Sequence, residues 1–87
     1  MIALRYLRSG NVENIEVQKI MFNVKKIRMI ERRMTSKKIV ERYSYFNTDG
    51  KALLHSVLVV DQTGKGKLVT IEFSKDKEEA KNNFKEF

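Results

Sequence analysis

The stretch from Leu53 to Val60 constrains this chain more than any other. Laid out as a strand, it is apolar on both faces, with Leu54, Leu58 and Val60 on one side and Leu53, Val57 and Val59 on the other. A strand of this kind sits in the middle of a sheet and must be covered on both sides. Its neighbours are legible too. Upstream, Tyr43, Tyr45 and Phe46 run into Asn47-Thr48-Asp49-Gly50, and Asp-Gly between two β-rich runs signals a hairpin. Downstream, the loop 61 to 67, with Gly64 and Gly66, returns the chain into Leu68 to Phe73. There Val69, Ile71 and Phe73 alternate with Leu68, Thr70 and Glu72. Three consecutive antiparallel strands are therefore predicted, at about 38 to 47, 52 to 60 and 67 to 73.

The C-terminal tail supplies one cover. Ser74 or Asp76 can cap a helix, Glu78 and Glu79 fall in its first turn, and Ala80, Phe84 and Phe87 follow at i, i+4 and i+7. At the other end, Ile2, Leu4 and Tyr6 alternate with Ala3, Arg5 and Leu7 before Ser9-Gly10-Asn11, which predicts a strand at 2 to 8 and a turn.

Residues 14 to 34 are compatible with two folds. As a helix, Val17, Ile20, Met21, Val24, Ile27 and Met34 form a stripe that Arg28 and Glu31 interrupt. As strands, Ile15-Glu16-Val17 alternates, the chain bends at Asn23, and Ile27, Met29 and Ile30 begin a second run. The β-branched and aromatic content favours strands. The expected fold is α+β and mainly antiparallel β, a curled sheet or small barrel of about six strands with a C-terminal helix. The alternative is a four-stranded antiparallel sheet with two helices.

Eighty-seven residues accommodate one hydrophobic core, so 1–87 is read as a single domain. Cysteine is absent, which excludes a disulfide framework and a thiolate zinc site and suits a reducing, cytoplasmic compartment. Arg5 and Arg8 break the N-terminal apolar stretch before it reaches the length of a signal peptide or membrane span, so no membrane association is expected. The absence of proline and tryptophan, with abundant Lys, Asn and Ile, is what AT-rich coding DNA produces, as in a bacterium or its mobile elements. The same arginines discourage edge-to-edge pairing, and a monomer is expected, with a homodimer as the alternative.

The formal charge of +7 is uneven. Residues 1 to 48 hold eleven Lys or Arg against four Glu, whereas 49 to 87 hold seven against seven. The excess concentrates in Lys25, Lys26, Arg28, Arg32, Arg33, Lys37, Lys38 and Arg42, interrupted only by Glu31 and Glu41. Such a segment attracts polyanions; it also describes a solvated face whose long stems cover apolar neighbours. Tyr43 and Tyr45 follow it directly and share one strand face, a spacing at which aromatic rings can stack successive unpaired bases or pack across strands. The apolar positions Ile27, Ile30, Met34, Ile39 and Val40 are expected to face inward and the eight bases outward.

Motifs for catalysis are missing. Gly64-Lys65-Gly66-Lys67 lacks the Gly five positions upstream and the Ser or Thr that a Walker loop requires. His55 is the single histidine and reads as a packed core residue with one hydrogen bond. Neighbouring His55 and Ser56 point to opposite sides of a strand, so they do not assemble with Asp61 into a triad. No metal or cofactor is expected. The sequence predicts a small basic non-catalytic protein that binds nucleic acid through its Lys/Arg-rich surface. The alternative is a protein-interaction module or regulator whose basic face docks on an acidic partner.

Overall fold

Ile15 begins the part of the chain that the computed structural model describes, residues 15–63 and 68–87, with the side chains of Leu68 and Val69 excepted. In chain order the elements are α1 (Ile15–Met21), β1 (Lys26–Met34), β2 (Lys38–Phe46), β3 (Ala52–Asp61), β4 (Leu68–Ser74) and α2 (Lys77–Glu86). The strands form one antiparallel sheet in the order β1-β2-β3-β4. The expected strand at 2 to 8 and the Gly64-Lys65-Gly66-Lys67 loop lie outside the described residues.

The two-faced β3 sits inside the sheet as its composition requires, buried continuously from Leu54 to Val60. On one face Leu54, Leu58 and Val60 join Tyr43, Tyr45 and Val17 of α1, with Ile20, Met21, Val24 and Ile27 packed alongside. On the other, Val57 and Val59 join Val40 of β2 and Phe84 of α2, with Phe87 beside them. Two thin cores thus share one sheet. The β2–β3 hairpin is the Asp-Gly turn: Gly50 takes φ +81°, where a side chain would be strained. Asn47 Oδ1 accepts from the backbone N–H groups of Asp49 and Lys51, at 3.0 and 2.9 Å. Asp76 caps α2 as anticipated, its carboxylate accepting from the Glu78 N–H at 3.0 Å.

Among the described residues the curled sheet or small barrel of about six strands is not formed; the alternative, an open four-stranded antiparallel sheet with two helices, is. Residues 15 to 34 take one piece of each reading. Ile15-Glu16-Val17, expected as a strand, opens α1, because Val17, Ile20 and Met21 gain an apolar stripe against Tyr43 and Tyr45 only in helical spacing. A seven-residue helix depends on such packing rather than on its own propensity. After a turn at Phe22 and Asn23, residues 26–34 form β1. An ion pair between Lys75 and Glu16 ties α1 to the segment before α2.

β1 carries an irregularity that sets the direction of every later side chain in it. Met29 pairs with Tyr43, but Glu31 pairs with Arg42, so Ile30 is an extra residue in the ladder. Lys26, Arg28, Glu31 and Arg33 therefore share the α2 face, and Ile27, Met29, Arg32 and Met34 share the α1 face. The expectation that Ile27, Ile30, Met34, Ile39 and Val40 all face inward is corrected here. Ile39 and Val40 project to opposite faces, and Ile30 and Met34 remain 39% and 57% exposed, since β1 is the edge strand among the described residues.

Candidate nucleic-acid interface

The basic segment is the β1–β2 hairpin. Its tip is tight: Thr35 N–H donates to the Lys38 carbonyl at 2.9 Å, and Thr35 Oγ1 accepts from the N–H groups of Lys37 and Lys38 at 3.3 and 3.1 Å. This leaves Lys37 exposed and Lys38 half-buried at one end of the hairpin. Lys25, Lys26 and Arg28 are exposed at the other.

The fold divides the eight predicted bases into two sets. Arg42 is 3% exposed on the α2 face, with its Nε 3.1 Å from Glu31 Oε1 across the strand pair. Arg32 Nε lies 3.7 Å from Glu41 Oε2, and the buried Glu41 also accepts from Tyr43 Oη at 3.0 Å. Arg33 donates to the Phe84 carbonyl at 3.0 Å and lies over that ring. These three arginines serve the fold. Lys25, Lys26, Arg28, Lys37 and Lys38 form no ion pair among the described residues. Both glutamates of the segment are held by other arginines, so the charge of the free five is not offset locally.

Tyr43 and Tyr45 are fully buried, which corrects their expected place in a stacking platform: packed under α1, neither ring is available to a base. They show cross-strand packing instead. Tyr45 Oη lies 2.7 Å from Ser56 Oγ, and its ring sits 6.3 Å from that of Phe73. Burial pushes the Tyr45 hydroxyl up to about 12, against the opposing hydrogen bond from Ser56. Ser56 is thereby committed to Tyr45, while Asp61 accepts from Thr63. His55 lies on the opposite face, its Nδ1 2.8 Å from Ser44 Oγ. Burial lowers its pKa below the ordinary histidine value, helped by the nearby Arg42 and Lys77 and opposed by Asp76. The triad is not assembled, and no cluster of three or more metal-ligating side chains occurs among the described residues.

One grouping was missed in the sequence. Lys26 pairs with Phe46 in the β1–β2 ladder, and Lys25 N–H donates to the Phe46 carbonyl at 2.8 Å. This brings Lys25, Lys26 and Arg28 around a depression of about 430 Å³ whose other walls include Phe46, Asn47 and Thr48. Residues 25 to 28 and 46 to 48 meet only because the intervening chain is a hairpin. A turn assigned at Thr35 to Lys37 would have revealed the pairing, with the Thr35 side chain as the available signal.

The described residues thus define a small α+β domain, a four-stranded meander with a helix on each face and an unpaired cationic edge. No family model matches the chain, and neither a curated protein nor a solved structure is significantly similar to it. No helix among the described residues is long and apolar enough to cross a membrane.

Proposed function

We infer that this protein is a non-catalytic nucleic-acid-binding protein that docks phosphates on its β1–β2 edge. The observation that carries this reading is the set of five cations without carboxylate partners among the described residues, Lys25, Lys26 and Arg28 at one end of the hairpin and Lys37 and Lys38 at the other. A solvated structural face would commonly interleave acids among such residues; here the only two acids of the segment are engaged by Arg42 and Arg32. The cysteine-free composition supports a cytoplasmic setting. Charged side chains along the edge strand support a monomer.

A second reading has its own observation. Met29, Ile30 and Met34 are exposed on the same strand as the cations, and apolar side chains beside an edge unpaired among the described residues suit an acidic protein segment added as a further strand. A salt series separates the two. Binding to phosphates releases counterions, so affinity for single-stranded and duplex nucleic acid should fall steeply with added salt, and K25E/K37E/K38E should weaken binding to all sequences and flatten that dependence. Weak, salt-insensitive binding to every nucleic acid transfers the assignment to a protein partner.

A further inference from the structure

The cationic depression beside the Asn47–Gly50 turn differs from the rest of the basic surface in being concave and in having an aromatic wall. With Tyr43 and Tyr45 buried, Phe46 is the aromatic residue that lines it, half-buried at the end of β2. Lys26 and Arg28 are on the α2 face of β1, two residues apart, and α2 packs on β2, β3 and β4, so among the described residues this corner of the sheet is left open. Lys25 enters from the loop before β1, and Asn47, Thr48 and Gly50 of the turn after β2 complete the lining.

We propose that this depression is a nucleotide-binding subsite for an unpaired strand, with a base against Phe46 and the adjoining phosphates on Lys25, Lys26 and Arg28. The proposal rests on the nucleic-acid reading above and deepens it by naming the form of nucleic acid. Three considerations select a single strand. A hollow of about 430 Å³ is within the range of pockets that hold a small ligand, and one nucleotide is of that order. A duplex is read by an element that protrudes into a groove, whereas a concave site with an aromatic wall receives a base only when that base is free of its stack. Cations bordering an aromatic residue are also the arrangement by which single-stranded nucleic acid is held without sequence preference, the backbone tracking the charge and each base offering a π-face. Asn47 Oδ1 is already occupied by the turn, so base identity is read weakly at most. The expected ligand is any unpaired DNA or RNA, with no strong sequence preference.

The test compares a twelve-nucleotide thymidine oligomer with a twelve-base-pair duplex, for the parent protein and for F46L and K26A/R28A, across a salt series. A 2-aminopurine placed in the middle of a second, otherwise identical oligomer reports stacking directly. The parent should bind the single strand more tightly than the duplex and quench the 2-aminopurine. F46L, which keeps an apolar side chain and removes the ring, should lose about tenfold in single-strand affinity and most of the quenching, with duplex affinity unchanged. K26A/R28A should weaken both ligands and make the single-strand salt slope shallower by about 1.4. Unfolding midpoints of both variants confirm that they fold, and quenching by the parent alone tests the stacking contact should F46L be unstable. If F46L binds and quenches like the parent while K26A/R28A is impaired, the subsite is wrong and the nucleic-acid reading stands. A parent protein without salt-dependent affinity for either ligand overturns both.

Discussion

The guanidinium of Arg33 lies 4.8 Å from the centroid of the Phe84 ring and donates a hydrogen bond of 3.0 Å to the Phe84 carbonyl. One side chain of the edge strand thereby clasps both the main apolar anchor of α2 and the negative end of that helix. Arg33→Ala should cost about 1–2 kcal/mol, combining a charge-assisted hydrogen bond with a partly exposed cation–π contact. Arg33→Lys should recover only part of this, because the planar fork is what reaches ring and carbonyl together. Urea unfolding followed by circular dichroism reads both; an alanine variant as stable as the parent would show that the clasp contributes nothing. Nucleic-acid affinity should change less than on substitution of Arg28.

Removal of residues 80–87 takes Ala80, Phe84 and Phe87 from the sheet and exposes Val40, Val57 and Val59. Loss of a buried Phe side chain alone costs about 3–5 kcal/mol, a large fraction of the stability of a domain this small. The truncated protein should be insoluble or lack a cooperative melting transition. An unchanged melting temperature would mean that α2 does not cover this face.

His55 makes stability depend on pH. Its pKa is lowered in the fold, so between the unfolded value of about 6.5 and the lower folded value the unfolded chain holds the extra proton. Stability is therefore full above about pH 6.5, declines as pH falls through this window, and is lost to its full extent below the folded pKa. His55 being the sole histidine, its ring resonances give the folded pKa without assignment ambiguity. Titration at or above 6.5, or greater stability at pH 5.5 than at pH 7.5, would contradict the buried, neutral imidazole bonded to Ser44.

Tyr45→Phe removes the partner of Ser56 Oγ at a fully buried site. The expected loss is about 1–2 kcal/mol, the cost of an unsatisfied buried hydroxyl. Nucleic-acid affinity should be unaffected, because the ring is under α1 rather than at the surface. A variant with native stability and impaired binding would return Tyr45 to the interface. In the parent, the Tyr45 phenol should resist ionisation up to about pH 12.

Much of the fold is written locally. The two-faced run Leu53 to Val60 demanded a central strand, Asp49-Gly50 demanded a hairpin before it, and Asp76 with Ala80 and Phe84 demanded a capped amphipathic helix after it. Each signal acts over a few residues, through backbone sterics, a cap or a periodicity, and needs no knowledge of distant chain. The sign and place of the charge excess are equally legible.

Residues 15–34 were not, since the same β-branched residues satisfy a helix or a strand, and only the apolar surface offered by Tyr43, Tyr45 and Leu54 selects helical spacing for Val17 and Ile20. The candidate site was half legible for the same reason. Composition marks eight bases, but which of them remain free depends on register. The extra residue at Ile30 sets Glu31 opposite Arg42 and Arg33 on the face of Phe84, withdrawing two cations into the fold. The pairing of Lys26 with Phe46 builds the depression from residues twenty positions apart. Alternation along a strand is a property of the sequence; what stands across from each side chain is a property of the assembled sheet.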